Sequence, residues 1–364
     1  MKIGIIGGGW SGIYTAYQLK KKYGIIHDII IFEKESTIGG KCKDLMNKYP
    51  GGAIQFPHYE YFGKVLEENG INLVKKYKCK NEYIKGTEAV LTILTKVYLY
   101  RRQEKYNNVL VSKLFSLNEL HILKFIIENY GYKEMTIFYL YQYIDSFCNV
   151  IVILENLKHI IFNIESPHFL ETSILKLMKE MTKDISIITN CEVKNIEKTQ
   201  EKYNVISSSD VYNNLDIIVF SNIVNKNYKN IVPKEIIKEC KKITYTKYAS
   251  ALLNKYEYEL LKQNMLFSID IHDDEKYKIC YFYDIECLSL IPESRKNIVE
   301  NYFPRFAEPS KSQTLINSFQ GKNNIFYTGG YLSFELIESI CVHIQNIILP
   351  EMHKIMKLCP QSSK

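Results

Sequence analysis

Residues 2–6 (KIGII) and 28–33 (DIIIFE) are short segments, each opening on a charge that is followed by an apolar run of four (IGII and IIIF). Runs of that length predict strands buried on both faces. Between them, the pattern from about Ser11 to Tyr23 predicts a helix, so the chain opens on a β-α-β unit. A glycine-rich loop follows at 39–52, and residues 59–69 (YEYFGKVLEEN) predict a second helix that ends at Gly70. Residues 76–184 are dense in aromatic and aliphatic positions and read as mostly helical. Strand patterning returns over 185–220, in ISIITN, EVKNIEK, KYNVISS and LDIIVFS, each punctuated by Asn, Ser or Asp. It predicts a small antiparallel unit that feeds back into the parallel sheet. After a mixed stretch at 226–319, NNIFYTGG (323–330) predicts a strand running into glycines, with a helix to about Leu349.

No internal repeat or low-complexity linker interrupts this order. The elements interleave instead. Residues 1–75, 185–225 and 320–350 predict one discontinuous nucleotide domain. Residues 76–184 and 226–319 predict a mixed α+β substrate domain, and 351–364 a tail. A length of 364 residues fits two domains. An apolar content of 46% is enough for a sizeable core.

Charge changes the picture little. The net charge of +7 is spread along a chain rich in Lys, Ile, Asn and Tyr throughout. It is not gathered into the basic patch that nucleic-acid binding needs, so no nucleic-acid partner is expected. Nine cysteines include no CxxC pair, which argues against a disulfide framework or zinc site. They read as reduced thiols of an intracellular, cytoplasmic protein. His272, Asp273 and Asp274 form the one metal-like cluster and read as a solvated turn, so no metal is expected. The most apolar stretch, 135–162, is broken by Gln142, Asp145, Asn149, Glu155 and Lys158. It does not make a membrane span, and a peripheral membrane contact stays open. Because the first strand starts at Lys2, no signal peptide of the usual form is expected.

Three motifs carry chemistry. The first is Gly7-Gly8-Gly9-Trp10-Ser11-Gly12, set between strand and helix. Gly7 permits the turn, Gly9 lets backbone approach a pyrophosphate, and Gly12 lets the helix pack close to the strand. The helix N-terminus then offers unpaired N–H groups to phosphate. Glu33, followed by Lys34, sits at the end of the second strand, where an acid can bind ribose hydroxyls and disfavours a 2′-phosphate. The second motif is Ile38-Gly39-Gly40-Lys41-Cys42, either a plain turn or a glycine pair beside the dinucleotide with Lys41 on a phosphate. The third, Ile325-Phe326-Tyr327-Thr328-Gly329-Gly330, predicts a second strand–glycine–helix unit and a second helix N-terminus, as a long dinucleotide such as FAD requires.

In this order the motifs resemble those of the flavin amine oxidase and protoporphyrinogen oxidase superfamily. More closely, the chain resembles the FAD-dependent polyunsaturated fatty acid isomerases. The resemblance rests on IGGKC (38–42), GGAIQFPHYEYFGKVLEENG (51–70), NYFP (301–304) and GKNNIFYTGGYLSF (321–334), about a third of the chain. It implies a glutathione-reductase-like α/β fold with a Rossmann-type FAD-binding domain, and FAD as cofactor. By the same resemblance Gly52, Ala53 and Ile54 would lie beside the isoalloxazine ring, and Val193 would meet adenine through its backbone. Gly329, Gly330 and a helix start at Leu332, Ser333 and Phe334 would hold the pyrophosphate-to-ring segment. Where the family carries an acidic residue after the glycine of the last motif, this chain has Gly330.

The resemblance further implies an unsaturated fatty acid as small-molecule substrate, with its carboxylate near Lys76 or Lys78 in the basic run KKYKCK (75–80). That run also reads as a solvated loop. Tyr281, Phe282, Tyr283, Tyr302 and Phe303 could line a pocket, or alternate in strands as core packing. The reaction implied is hydride transfer from the substrate to flavin N5, with return at another carbon for isomerisation. The alternatives are a flavin amine oxidase and a non-catalytic FAD-binding protein, the latter favoured by Gly330 and the short middle region.

Overall fold

In a computed structural model, the strands in chain order are β1 (Lys2–Ile6), β2 (Asp28–Phe32), β3 (Asp44–Leu45), β4 (Tyr49–Pro50), β5 (Leu73–Val74) and β6 (Phe169–Leu170). They continue with β7 (Ser186–Ile188), β8 (Val193–Thr199), β9 (Lys202–Ser207), β10 (Val211–Leu215) and β11 (Ile217–Phe220). Last come β12 (Thr244–Asn254), β13 (Phe267–Asp270), β14 (Tyr277–Phe282), β15 (Ile298–Arg305) and β16 (Ile325–Tyr327). The principal helices are α1 (Trp10–Tyr23), α2 (Glu60–Glu68), α3 (Thr87–Arg101), α4 (Ile174–Met181), α5 (Lys234–Cys240), α6 (Lys255–Leu261), α7 (Pro309–Asn317), α8 (Ile337–His343) and α9 (Leu349–Leu358). The structure describes residues 1–24, 28–46, 48–52, 60–71, 73–74, 87–120, 136–138, 140, 169–170, 173–262, 264, 267–270, 276–282, 285–292, 297–306, 308–333 and 337–358.

The chain divides into two compact units. One holds Met1–Cys42, Leu175–Thr244 and Pro304–Lys364, and the other Lys43–Ile174 and Tyr245–Phe303. Residues 43–75, assigned from sequence to the nucleotide domain, thus fall in the second unit, and the chain from 351 onward stays with the first.

The first unit is built on a five-stranded parallel sheet in the order β16-β11-β1-β2-β7. Its central strands β1 and β11 are short Ile- and Val-rich runs buried on both faces, as a doubly covered parallel sheet requires. Strand order reverses between β1 and β11, so the carboxyl ends of these two strands form the crevice where such folds bind ligands. A three-stranded antiparallel sheet, β10-β9-β8, packs Ile196, Tyr203, Val205 and Leu215 into the core under Phe32 and Phe220. The strand β10 (VYNNL) carries too few apolar residues to stand out in the sequence. Pairing with β9 draws it into the sheet.

The final helical stretch runs farther than its pattern suggests. Past α8 come a π-helical turn at Ile344–Ile348 and then α9, which ends at Leu358 and not near Leu349. The helix runs without a break through Leu349, so Pro350 stands in its interior; with no N–H it cannot continue the ladder there, and the wider π-turn lies just before it.

In the second unit, β13-β14-β12-β15 form a sheet, and the pairs β3-β4 and β5-β6 form two short ladders. Its core gathers Ala249, Ala251, Leu253, Cys280, Phe282 and Leu288. Of α2, the residues Phe62, Val65 and Leu66 are buried, at the i, i+3, i+4 spacing of one helix face. Most of the segment 76–184 that reads as helical lies outside the described residues. Within it, α3 is helical.

Candidate functional site: a glycine cradle at the switch point

Gly7 leaves β1 with φ 109°, a value that glycine adopts without strain, and its N–H donates to Phe32 O at 2.8 Å. A Cβ on Gly12 would overlap the Gly7 carbonyl oxygen, so only glycine lets α1 lie this close to β1. Gly9 caps α1 in extended conformation with no side-chain cap, and no acidic residue stands in the first turn. The first-turn N–H groups of α1 therefore open at the switch point without a side-chain acceptor, the arrangement that suits an anionic phosphate.

Glu33 closes the back of this turn. It is only 5% exposed, and its carboxylate accepts from the Gly8 N–H at 2.7 Å (Oε2) and the Glu35 N–H at 2.9 Å (Oε1). Its backbone joins the sheet edge, accepting from Cys191 N and donating to Ile188 O, each at 2.8 Å. The acid thus holds the glycine loop directly, while one lone pair on each oxygen is left for a sugar hydroxyl. Lys34 pairs on the surface with Glu35 at 3.3 Å. Gly39 and Gly40 come alongside: Gly9 and Gly39 form a parallel bridge, and Gly39 N donates to Gly8 O at 2.9 Å. The two glycine motifs, 32 residues apart, are therefore one backbone surface, with Lys41 following them.

The side chains of Trp10 and Ser11 turn away from the mouth. Trp10 is 4% exposed, stacks on Tyr14 with ring centroids 6.0 Å apart, and donates its indole N–H to Cys341 Sγ at 3.4 Å. Ser11 donates to Ser221 O at 3.3 Å. Burial, with Glu338 nearby, pushes the Cys341 thiol well above its ordinary range, so it stays protonated.

Sequence reasoning missed Ser221, and it named Thr328 within the third motif without giving it a role. Ser221 ends β11 on the far side of the switch point. Its hydroxyl donates within the first turn, at 2.7 Å from Gly7 O and 3.0 Å from Ile6 O. Thr328, fully buried, follows β16, and its hydroxyl oxygen has no hydrogen-bond partner among the described residues. Each is a small hydroxyl residue directly after a buried strand, and that was the available signal.

The third motif departs from expectation. Gly329 has φ 139°, and Gly330–Leu332 forms a single 3-10 turn. No α-helix starts at Leu332 or Ser333. Leu332 N bonds back to Gly329 O at 3.0 Å, and the described helix begins at Ile337. A second helix N-terminus at the glycines is not what this segment builds. Val193, 7% exposed at the start of β8, has its carbonyl already accepting from the Tyr228 hydroxyl at 3.2 Å.

The remaining candidates belong to the second unit or lie outside the described residues. Gly52 falls in the second unit, its N–H donating to Lys43 O at 3.1 Å. Tyr302 and Phe303 are neighbours on β15, so their side chains take opposite faces. Phe303 is buried and stacks on Tyr248 at 4.4 Å, while Tyr302 is 46% exposed beside Tyr245 and Lys247. The two therefore do not line one pocket. Phe282 belongs to the core of its sheet. Ala53, Ile54, Lys76, Lys78, Tyr283, Phe334 and the 272–274 cluster lie outside the described residues. Among the described residues no group of acidic, His or Cys side chains is placed to hold a metal, and no helix is long and apolar enough to cross a membrane.

Comparison with known proteins agrees with this geometry. Residues 5–63 match the family model of the NAD(P)-binding Rossmann-like domain. The whole chain is similar to the crystal structure of a fatty acid isomerase from P. acnes that produces CLA, with TM-score 0.69 and 14% identity over 96% of this chain and 98% of that one. It is similar also to wild-type putrescine oxidase bound to putrescine (TM-score 0.68, 10% identity, 98% and 99% covered). Cyclohexylamine oxidase from Brevibacterium oxydans IH-35A compares equally well (0.67, 11%, 98% and 99%). The chain has their fold. No curated protein matches it by sequence. At these identities the likeness lies in the arrangement of elements, and the side chains of the site must be judged on their own geometry.

Proposed function

We propose that this chain is an FAD-dependent oxidoreductase or isomerase that moves a hydride between flavin and an unsaturated, lipid-like carboxylate. The observation that carries the reading is the α1 N-terminus, bare of side-chain caps and acids, facing the switch point with Glu33 behind it. The residues suit the cofactor. Gly7, Gly9 and Gly12 leave room for a pyrophosphate, Trp10 and Ser11 offer backbone N–H groups, and Glu33 offers lone pairs to ribose. The backbone of Gly39, Gly40 and Lys41 adds a second wall, and the buried Thr328 hydroxyl and the Gly329–Ser333 turn a third. Val193 would meet the adenine through its N–H, since its carbonyl is engaged.

A flavin bound here supplies hydride exchange at N5, and the chain needs no metal or nucleophilic triad for that chemistry. What the chain supplies is position and exclusion of water. The first unit would act as the nucleotide domain and the second as the substrate domain. The described cysteines are free and buried, which suits a reducing compartment, and we place the protein in the cytoplasm.

Purified protein should show a flavin spectrum. Anaerobic bleaching by linoleic acid, or conjugated-diene absorbance without oxygen uptake, supports the reading. Oxygen uptake with an amine and no diene replaces it with an amine oxidase, the chemistry named in two of the similar structures. Protein that neither carries nor takes up flavin overturns both.

A further inference from the structure

β16 is the edge strand of the parallel sheet. Thr328 N donates inward to Phe220 O at 2.8 Å, so the N–H and C=O of Tyr327 point outward, to the side with no further strand. Buried backbone groups of this kind need partners. The side chain of Gln320 supplies both. Its Oε1 accepts from Tyr327 N at 2.9 Å, and its Nε2 donates to Tyr327 O at 2.7 Å. One amide thus stands in for the missing strand, and Gln320 is only 8% exposed.

A second glutamine works on the other flank of the same turn. Gln313, 4% exposed and on α7, donates through Nε2 to Tyr331 O at 3.4 Å and Ser333 O at 3.3 Å. The two side chains, seven residues apart, bracket Thr328-Gly329-Gly330 at 327 and at 331–333. The clamp is itself tied down. Gln320 Nε2 also donates to Asn317 Oδ1 at 3.3 Å, and His343 Nε2 lies 3.1 Å from the same oxygen. His343 is buried in α8, so the chain of bonds links α7, the glycine turn and the helix beyond it.

We propose that Gln313 and Gln320 are positioning residues that preset the Thr328–Gly330 turn for the flavin, doing at this turn what helix packing does at the first. The proposal rests on the flavin reading above. The 3-10 turn at Gly330–Leu332 holds itself by two backbone bonds, Leu332 N to Gly329 O and Ser333 N to Gly330 O, but two glycines in sequence leave it free to move. Fixing its flanks removes that freedom before the ligand arrives.

The test is flavin titration of apo-protein, followed by fluorescence, for wild type, Gln320→Glu and Gln313→Glu. A glutamate keeps the size and the acceptor but donates only when protonated, so each variant should bind flavin at least tenfold more weakly at pH 8 than wild type. Binding should then recover as the pH falls toward 5.5, while wild-type affinity changes little over that range. A merely structural role would lower the melting temperature of the apo-protein without a pH-dependent recovery of affinity. Equal affinity of variants and wild type, or weakened affinity that is flat with pH, overturns the clamp. Should one variant fail to fold, the other carries the same test, and if neither folds, Asn317→Leu, which removes the acceptor for Gln320 Nε2, should weaken flavin binding at every pH, and unchanged affinity overturns the clamp. Absence of flavin binding by wild type overturns the functional reading instead, so the two failures are distinct.

Discussion

Two glycine turns leave the same end of the same sheet, and they are held in opposite ways. The turn after β1 is held by close backbone packing, with the Glu33 carboxylate and the Ser221 hydroxyl bonded to its glycines. Gly12 packs on the Gly7 carbonyl, Ser221 bonds to that same oxygen, and α1 starts at once. The turn after β16 has no helix at its glycines. It makes one 3-10 turn and relies on side chains from α7 and the loop after it. Where a helix packs directly on its strand, the glycine pattern carries the whole instruction. Where it does not, distant polar side chains must supply the order.

The largest effect should come from breaking the first turn. Gly12→Val places a branched side chain against backbone that cannot yield, and should destabilise the protein by about 3 kcal/mol or more, with loss of flavin. Denaturant unfolding measures it, and a variant as stable as wild type would show that α1 has room to retreat from β1.

Next is Glu33→Ala. It removes the carboxylate that holds the Gly8 and Glu35 N–H groups, bonds to a charged acceptor that contribute about 1.5–3 kcal/mol each. Flavin affinity should fall by tenfold or more, together with the melting temperature. An unchanged affinity with a lowered melting temperature would confine Glu33 to holding the loop.

Gly330→Asp sharpens the contrast from the other side. It supplies at the second turn the acid that related flavoproteins carry there by resemblance, and one added charge-assisted bond should tighten flavin binding by about tenfold. Weaker binding, seen in the same fluorescence titration, would mean that the bare glycine is needed for close approach.

The smallest effect concerns the far end of the clamp. Burial pulls the His343 pKa from 6.5 down to about 4. Between those values the unfolded chain takes up a proton that the folded chain refuses. The contribution of His343 is therefore complete above about pH 6.5 and is lost as pH falls toward about 4. His343→Gln should flatten that acid limb of the melting-temperature profile by a few degrees. A limb of unchanged slope would assign it to other groups.

Much of the first turn was legible in the sequence, and less of the second. IGII (3–6) and IIIF (29–32) gave themselves away as short apolar runs, and Glu33 was identifiable by its place after the second. The helix expected from Leu332 does not start at Leu332 or Ser333; a strand followed by two glycines looks the same in sequence whether a helix or a 3-10 turn comes next. Tyr302 and Phe303 looked like one aromatic pair until the strand put them on opposite faces. Nothing in the neighbourhood of Gln313 or Gln320 marks them, since a buried glutamine is recognisable only by what it bonds to.

By itself the sequence determined the elements whose cause is local: the β-α-β opening, the close contact of Gly12 that only glycine permits, and Glu33 at the end of the second strand. Hydrophobic period and glycine placement act within a few residues, and they can be read without knowing what lies across the sheet. Tertiary structure alone decided the strand order that creates the switch point and the meeting of Gly9 with Gly39. It also decided the pairing of the edge residue Tyr327 with a side chain seven positions away. Those are bonds between groups whose partners exist only once the strands are stacked, and a hydrogen bond leaves no periodic trace in the chain that makes it.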